Sequence, residues 1–177
     1  MQATQSATRR LAEGTRAAVL GLWALVAEGE ISVDQFRTLA AAEVASANTA
    51  GVNLADIGLA AEVTRQLRRI TSPIGLGAPD VAVDQARMAR DIDRTIASTD
   101  DPGPLLGDWA ASEPYLTVAN TVQAGMALHG FEGWTRGLSG ASCPTCLGWA
   151  DGVVRPVSVS MIRHPGCDCI QLPTFST

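Results

Sequence analysis

Apolar residues recur at helical spacing through the first 130 residues and lose that spacing afterwards. From about Thr8 to Glu28, Leu11, Ala18, Leu22 and Leu25 fall on one face, and Val19, Trp23 and Val26 widen it. So broad a stripe predicts burial on two sides. Gly29 is a plausible stop. Ser32 then caps a second helix, with Gln35 three residues on completing a capping-box pattern. Phe36, Leu39, Ala40, Val44 and Ala47 continue it, and Gly51-Val52-Asn53 is expected to break or kink it. A third helix is predicted from about Leu54 to Ile70, with Leu59, Val63, Leu67 and Ile70 facing inward. Arg65, Arg68 and Arg69 suit its negative C-terminal end.

The stretch 71–79 carries two Pro and two Gly and reads as a linker. Asp80 caps a further helix to about Ser98, with a narrow stripe of Val81, Met88, Ile92 and Ile96. Arg87 and Asp91 can pair across one turn. Residues 99–104 form a second break, and Leu105 to Trp109 a short helical piece. Ser112 is the expected cap of the last helix, with Pro114 in its first turn. Tyr115, Val118, Val122 and Met126 form its buried side, and His129-Gly130 ends it. His129 is expected to cap carbonyls there. No apolar heptad is sustained, so a helical bundle is a better reading than a coiled coil.

Charge changes the picture only in the middle. The net charge is -5. Residues 1–70 and 131–177 are each balanced, while 71–130 hold the acidic excess. No segment is strongly basic, which argues against tight non-specific DNA binding. No apolar run approaches the roughly 20 residues of a membrane span, and Met1-Gln2-Ala3-Thr4 lacks the features of a secretory signal. No nucleophile–base constellation, Walker loop or dinucleotide fingerprint is present, so no enzyme activity is expected.

The chemistry is concentrated in the tail. All four cysteines and His164 lie within 27 residues, counted from Cys143 to Cys169. Cys143-Pro144-Thr145-Cys146 can turn two thiolates toward one ion. A return segment then brings His164, Cys167 and Cys169. Alternate residues of an extended segment share a face, so Cys167 and Cys169 can both point inward. A tetrahedral zinc takes four ligands, leaving one of the five candidates spare; Cys143, Cys146 and Cys169 are expected, with either His164 or Cys167. A Cys143–Cys146 disulfide would close a small strained loop, and disulfides suit a reducing cytosol poorly. A redox role lacks its βαβ context. Trp134 and Trp149 are expected to cover the metal site and dock the tail on the helices. The fold class that follows is mainly α: a helical region over 1–130, with a small zinc-stabilised β-hairpin module over 131–177.

The order of these features resembles a known family. Trp134, Cys143-Pro144-Thr145-Cys146, Asp151-Gly152 and His164-Pro165-Gly166-Cys167-Asp168-Cys169 resemble the end of the phage Mu F-like minor head proteins. The preceding helix from Val118 to Ala127 resembles theirs too, and the likeness covers roughly residues 115–173. Gly166 and Asp168 stand where that family usually has Asn and Arg. The resemblance implies a virion protein, made in the host cytoplasm and joining the head of a tailed phage. Its implied partners are the portal and the major capsid protein, with packaged DNA a weak contact and no membrane. The competing expectation is a nucleic-acid-binding zinc-ribbon protein, which would need a basic face that the neutral tail lacks.

Overall fold

The second helix does not stop at Gly51. In the computed structural model, which describes residues 1–77, 80–139, 144–164 and 167–175, the two helices expected around that glycine form one. Four long helices make the body: α1 (Gln2–Ala27), α2 (Val33–Leu67), α3 (Val81–Ala97) and α4 (Gly103–Leu128). At 1.5 Å per residue, α2 is about 50 Å long. Ser32 and Gln35 form the expected reciprocal capping box at its start. Arg68 ends it in a left-handed conformation, φ 51°, so the helix stops before Ile70. Ile70, expected to face inward, is 94% exposed.

The fusion has a tertiary cause. A Cβ built on Gly51 would sit 3.3 Å from Val118 Cγ2, and one on Gly58 would sit 2.3 Å from Thr4 Oγ1. These glycines let α4 and α1 approach α2 closely; the gain in packing outweighs the helix cost of about 1 kcal/mol per glycine. Helix α1 packs on α2 and α4 through mostly small residues: its buried positions are Thr4, Thr8, Ala12, Thr15 and Val19. The expected face of Leu11, Ala18, Leu22 and Leu25 is only partly covered, and Leu25 is exposed. Threonine serves here because its hydroxyl is satisfied inside the helix: Thr8 donates to the Thr4 carbonyl and Thr15 to that of Leu11, each at 2.8 Å. Replacing Gly58 with leucine is expected to destabilise the protein by about 2 kcal/mol. Gly14→Ala, where an added Cβ meets nothing within 4 Å, should stabilise it by up to about 1 kcal/mol. Urea midpoints of opposite sign check the pair; a shift in the same direction for both would contradict the close-approach explanation.

Helix α4 likewise absorbs an expected boundary. It begins at Gly103 and runs through Pro114, rather than starting at Ser112. Ser112 turns its hydroxyl back to the Trp109 carbonyl at 2.8 Å instead of capping, and Pro114 is buried inside the helix. The break expected at 99–104 is shorter, since α4 already takes in Gly103 and Pro104; the Asp80 cap of α3 stands as expected, with its carboxylate accepting from the Ala82 and Val83 N–H groups. Met88 and Ile92 are fully buried while Val81 is exposed.

Two cores lie along α2. In the first, Val19 of α1, Phe36 and Val44 of α2, Met88 and Ile92 of α3 and Leu106 of α4 meet. In the second, Leu59 and Val63 of α2 meet Val118, Val122 and Met126 of α4, and the tail supplies Phe131 and Trp134 where α3 no longer reaches. The tail is a three-stranded antiparallel sheet, not a hairpin. Its order is β2–β1–β3, from β1 (Gly133–Gly137), β2 (Arg155–Pro156) and β3 (Ile170–Thr174). A short helix, α5 (Pro144–Trp149), lies between β1 and β2. Within 153–160, where apolar and polar residues roughly alternate, only Arg155 and Pro156 form a strand, β2. The central strand β1 was not anticipated; Trp134 pairs with Pro173 on one side and Arg155 on the other. Gly133 allows the close pass, since a Cβ there would lie 2.8 Å from the Arg155 carbonyl oxygen. No helix among the described residues is long and apolar enough to cross a membrane.

The segment after α2 is tied down by one carboxylate. Asp56 is buried and accepts backbone N–H groups from Ile74, Gly75 and Leu76 at 2.8–3.2 Å. His129 does not cap carbonyls with its ring. Its buried imidazole faces Asp56, Nε2 to Oδ1 3.7 Å, and its backbone N–H closes the helix on Gly125. Burial alone would raise the Asp56 carboxyl, but the three N–H donors and His129 outweigh it and hold the group below its ordinary 3.8. A folded pKa below the unfolded one means that this stability is present above about pH 4 and is lost as pH falls through the folded value. Asp56→Ala should cost about 3 kcal/mol at neutral pH, given three hydrogen bonds to a charged acceptor, and should flatten the acid limb of the stability curve. An unchanged melting temperature and acid limb would refute this.

Candidate metal centre

Two segments deliver three sulfurs to one point. Cys146 lies on α5, and Cys167 and Cys169 lie in the extended segment that leads into β3. Their Sγ atoms all fall within 4.8 Å of one another, and all three residues are buried. Cys146 Sγ lies 3.4 Å from Cys167 Sγ and 3.1 Å from His164 Nε2. The Cys167 N–H donates to the His164 carbonyl at 3.1 Å, which ties these two residues together. Cys143 lies outside the described residues. Sequence spacing left His164 and Cys167 as alternatives; the fold places both beside Cys146.

These distances suit a metal ion. A tetrahedral ion with metal–sulfur bonds of about 2.3 Å holds its sulfurs about 3.8 Å apart. The Cys146–Cys167 pair, at 3.4 Å, is slightly closer than that, and all three sulfurs lie within 4.8 Å of one another. The Cys146–Cys167 separation is also far longer than the roughly 2.05 Å of a disulfide. Three close, buried cysteines can thus hold a metal ion, with His164 as the adjacent imidazole donor.

The surroundings favour thiolate, the form that binds metal. Burial would push the Cys167 thiol up, but the Cys169 backbone N–H, the Cys146 thiol and the Arg163 charge bring it below its usual value. Arg163, which the sequence did not single out, donates from Nη2 to the Cys167 carbonyl at 2.6 Å. Burial pulls the Arg163 pKa down, and the nearby Cys167 and Cys169 oppose that pull. Its guanidinium lies beside the sulfurs, where its charge favours ionisation of Cys167. Its signal in the sequence was a lone basic residue next to a candidate ligand.

The frame around the cluster explains other tail residues. Asp151 Oδ1 accepts from the Val153 N–H at 3.0 Å, and Arg155 forks onto both carboxylate oxygens at 2.9 and 2.7 Å. The Arg155 pairing holds Asp151 at about 2. The Asp-Gly turn thereby aims Arg155 over the Trp134 ring, 5.8 Å from its centroid. Trp134 anchors the sheet on the helices and does not lie over the sulfurs: it is buried in the second core, and its Nε1 donates to the Val159 carbonyl at 2.8 Å. Trp149 lies under the Arg136 guanidinium, 5.1 Å from its ring centroid. Asp168 accepts from the Ser139 hydroxyl at 2.6 Å, and its carbonyl accepts from Gln5 on α1 at 2.9 Å. The cluster is thus bolted to the sheet and to α1.

The chain matches no protein-family model, no curated protein and no solved structure.

Proposed function

We propose that the chain is a structural minor head protein of a tailed phage, whose C-terminal module is stapled by zinc and docks on the portal or the major capsid protein during assembly. The observation that carries this reading is the folding of the tail motif. Residues whose order resembles the Mu F-like ending converge on one buried donor cluster, and that cluster is braced against a long helical bundle. The donor set suits zinc, which prefers thiolate and imidazole in tetrahedral array and brings no redox chemistry. Cys146, Cys167, Cys169 and His164 would hold it. Four protein ligands leave no open position for a reacting water, so the site is structural and the protein is not an enzyme. A clamp of this kind makes a rigid surface from a short segment that has little core of its own. The site of action is the virion head, reached from the host cytoplasm.

Co-expression with the portal and major capsid proteins of the same genome tests the assignment. The chain should co-sediment with assembled heads on a gradient and remain there after a salt wash. Recovery only in the soluble fraction, with heads assembling normally, would overturn it.

A further inference from the structure

The two ends of the helical body carry surplus charge of opposite sign. At one end the start of α2 meets the ends of α1 and α3 and the start of α4. Trp23 packs edge-on against Phe36, with ring centroids 5.1 Å apart, and Arg37 Nε donates to Asp93 Oδ1 at 2.6 Å. A Cβ built on Gly103 would lie 3.3 Å from Trp23 Cδ1. Glu28, Glu30, Asp100 and Asp101 are exposed at this end and have no ion-pair partner among the described residues. The arginines nearest them are already engaged, Arg37 by Asp34 and Asp93, and Arg94 by Asp91. Leu25, Val33 and Leu105, at the same helix ends, are exposed.

The other end is the C-terminus of α2, where α4 also finishes, with Leu59 and Val63 packed on Val122 and Met126. Glu62, the acid in the last turns of α2, is buried and bound by Arg65. Arg68 and Arg69 are exposed and have no ion-pair partner among the described residues. The negative dipole of the helix end offsets only about half of one charge. Leu67, Ile70 and Leu128 are exposed at this end, Ile70 almost wholly. The tip is a fastened turn. Arg68 takes φ 51°, a left-handed conformation that costs a residue with a Cβ roughly 1–2 kcal/mol. The Thr71 N–H donates to the Thr64 hydroxyl, and the Thr71 hydroxyl donates to the Arg69 carbonyl, both at 3.1 Å. The turn thus holds Ile70 outward beside two arginines instead of laying it on the core.

We propose that the two ends are the halves of one interface between copies of this chain: the Arg68–Ile70 tip of one copy docks on the acidic end of the next. Charge complementarity selects this occupant, because the chain itself supplies the complement of each end. Each end sets its charge beside exposed aliphatic side chains, so attraction gives the contact direction and the apolar groups give it area. The ends cannot neutralise each other within one copy. They stand about 50 Å apart along α2, several times the Debye length of roughly 10 Å at 0.1 M salt. Tip against tip, or acidic end against acidic end, would set like charges together, so the copies run head to tail. A head-to-tail contact does not close on two copies; it adds further copies into a rod or a ring. The inference goes beyond the proposed function, since it needs neither the metal nor a phage head.

Dilution of the isotopically labelled full chain tests it. Between about 1 mM and about 20 μM protein at low salt, amide chemical shifts should move at both ends, around Glu28, Glu30 and Asp101 and around Arg68 and Ile70. The movement should vanish in roughly 0.5 M salt, where the Debye length falls below about 5 Å. By sedimentation, R68E/R69E should associate at least about tenfold more weakly than the wild type, with its helical circular dichroism kept. E28R/E30R/D100R/D101R should do the same. An equimolar mixture of the two variants should associate again, because each supplies the charge that the other has reversed. If a reversed variant fails to fold, the wild-type dilution map decides alone. No dependence on concentration, shifts at one end only or along the helix sides, undiminished association of the folded variants, or no recovery on mixing would each overturn the proposal.

Discussion

Replacing Cys169 with serine is expected to release the metal and open the tail while the four long helices persist. Cys169 is fully buried within the sulfur cluster. Serine removes a thiolate and leaves a hydroxyl among soft donors, a poor ligand for a thiolate-preferring ion. Structural zinc sites couple roughly 10–16 kcal/mol of binding to folding, so loss of one of four ligands should outweigh any other single change in the tail. On the proposed reading, chelator treatment of the wild-type protein should give the same spectrum and melting behaviour as Cys169→Ser, and chelator should have no further effect on the variant. A serine variant that keeps its metal and its melting temperature would place Cys169 outside the ligand set.

Trp134→Ala should cost about 3–5 kcal/mol, the usual range for truncating a buried aromatic side chain. Trp134 is 2% exposed and packs with Leu59, Val63, Val118, Val122 and Met126. Truncation leaves a cavity in the second core and strips the Val159 carbonyl of its indole donor. For a domain of ordinary stability, roughly 5–15 kcal/mol, that is a large share. The first core does not include Trp134. Limited proteolysis should therefore cut first within 133–175, with most helical circular dichroism retained. Trp134→Phe keeps most of the packing and loses only the N–H, so it should cost about 1–2 kcal/mol. Equal losses for the two variants would shift the weight from packing to the hydrogen bond. Wild-type protease resistance in Trp134→Ala would contradict the anchoring role.

Much of the helical body is legible locally. The Ser32–Gln35 box and the Asp80 cap act within one turn, and Met88 and Ile92 lie where their period puts them. The misreadings share a cause, which is that tertiary contact overrides a local signal. Gly51 resembles a stop until α4 is placed 3.3 Å from its missing Cβ. Ser112 and Pro114 resemble a helix start, yet the turn before them is held in the helix by Leu106 and Ala110 in the first core. Thr8 and Thr15 of α1 are polar by type but satisfied by their own backbone, so a hydrophobic stripe points to the wrong face. Strand β1 is short and flanked by glycines, and it exists because β2 and β3 pair with it from far along the chain.

The site divides in the same way. Cysteine and histidine spacing marks the donors, because ligand chemistry restricts residue type more than fold does. Spacing does not show that His164 and Cys167 both lie beside Cys146, since they meet it from another part of the chain. Nor does it reveal Arg163 beside the sulfurs, donating to the Cys167 carbonyl.

The central claim is that the tail is built around a bound metal. Elemental mass spectrometry of protein purified under reducing conditions without chelator tests it most directly, with thiols titrated on the same sample before and after denaturation in chelator. The account predicts about one zinc per chain, with thiols that react only once the metal is removed. No metal, with thiols fully reactive in the native protein or paired as disulfides, would contradict it.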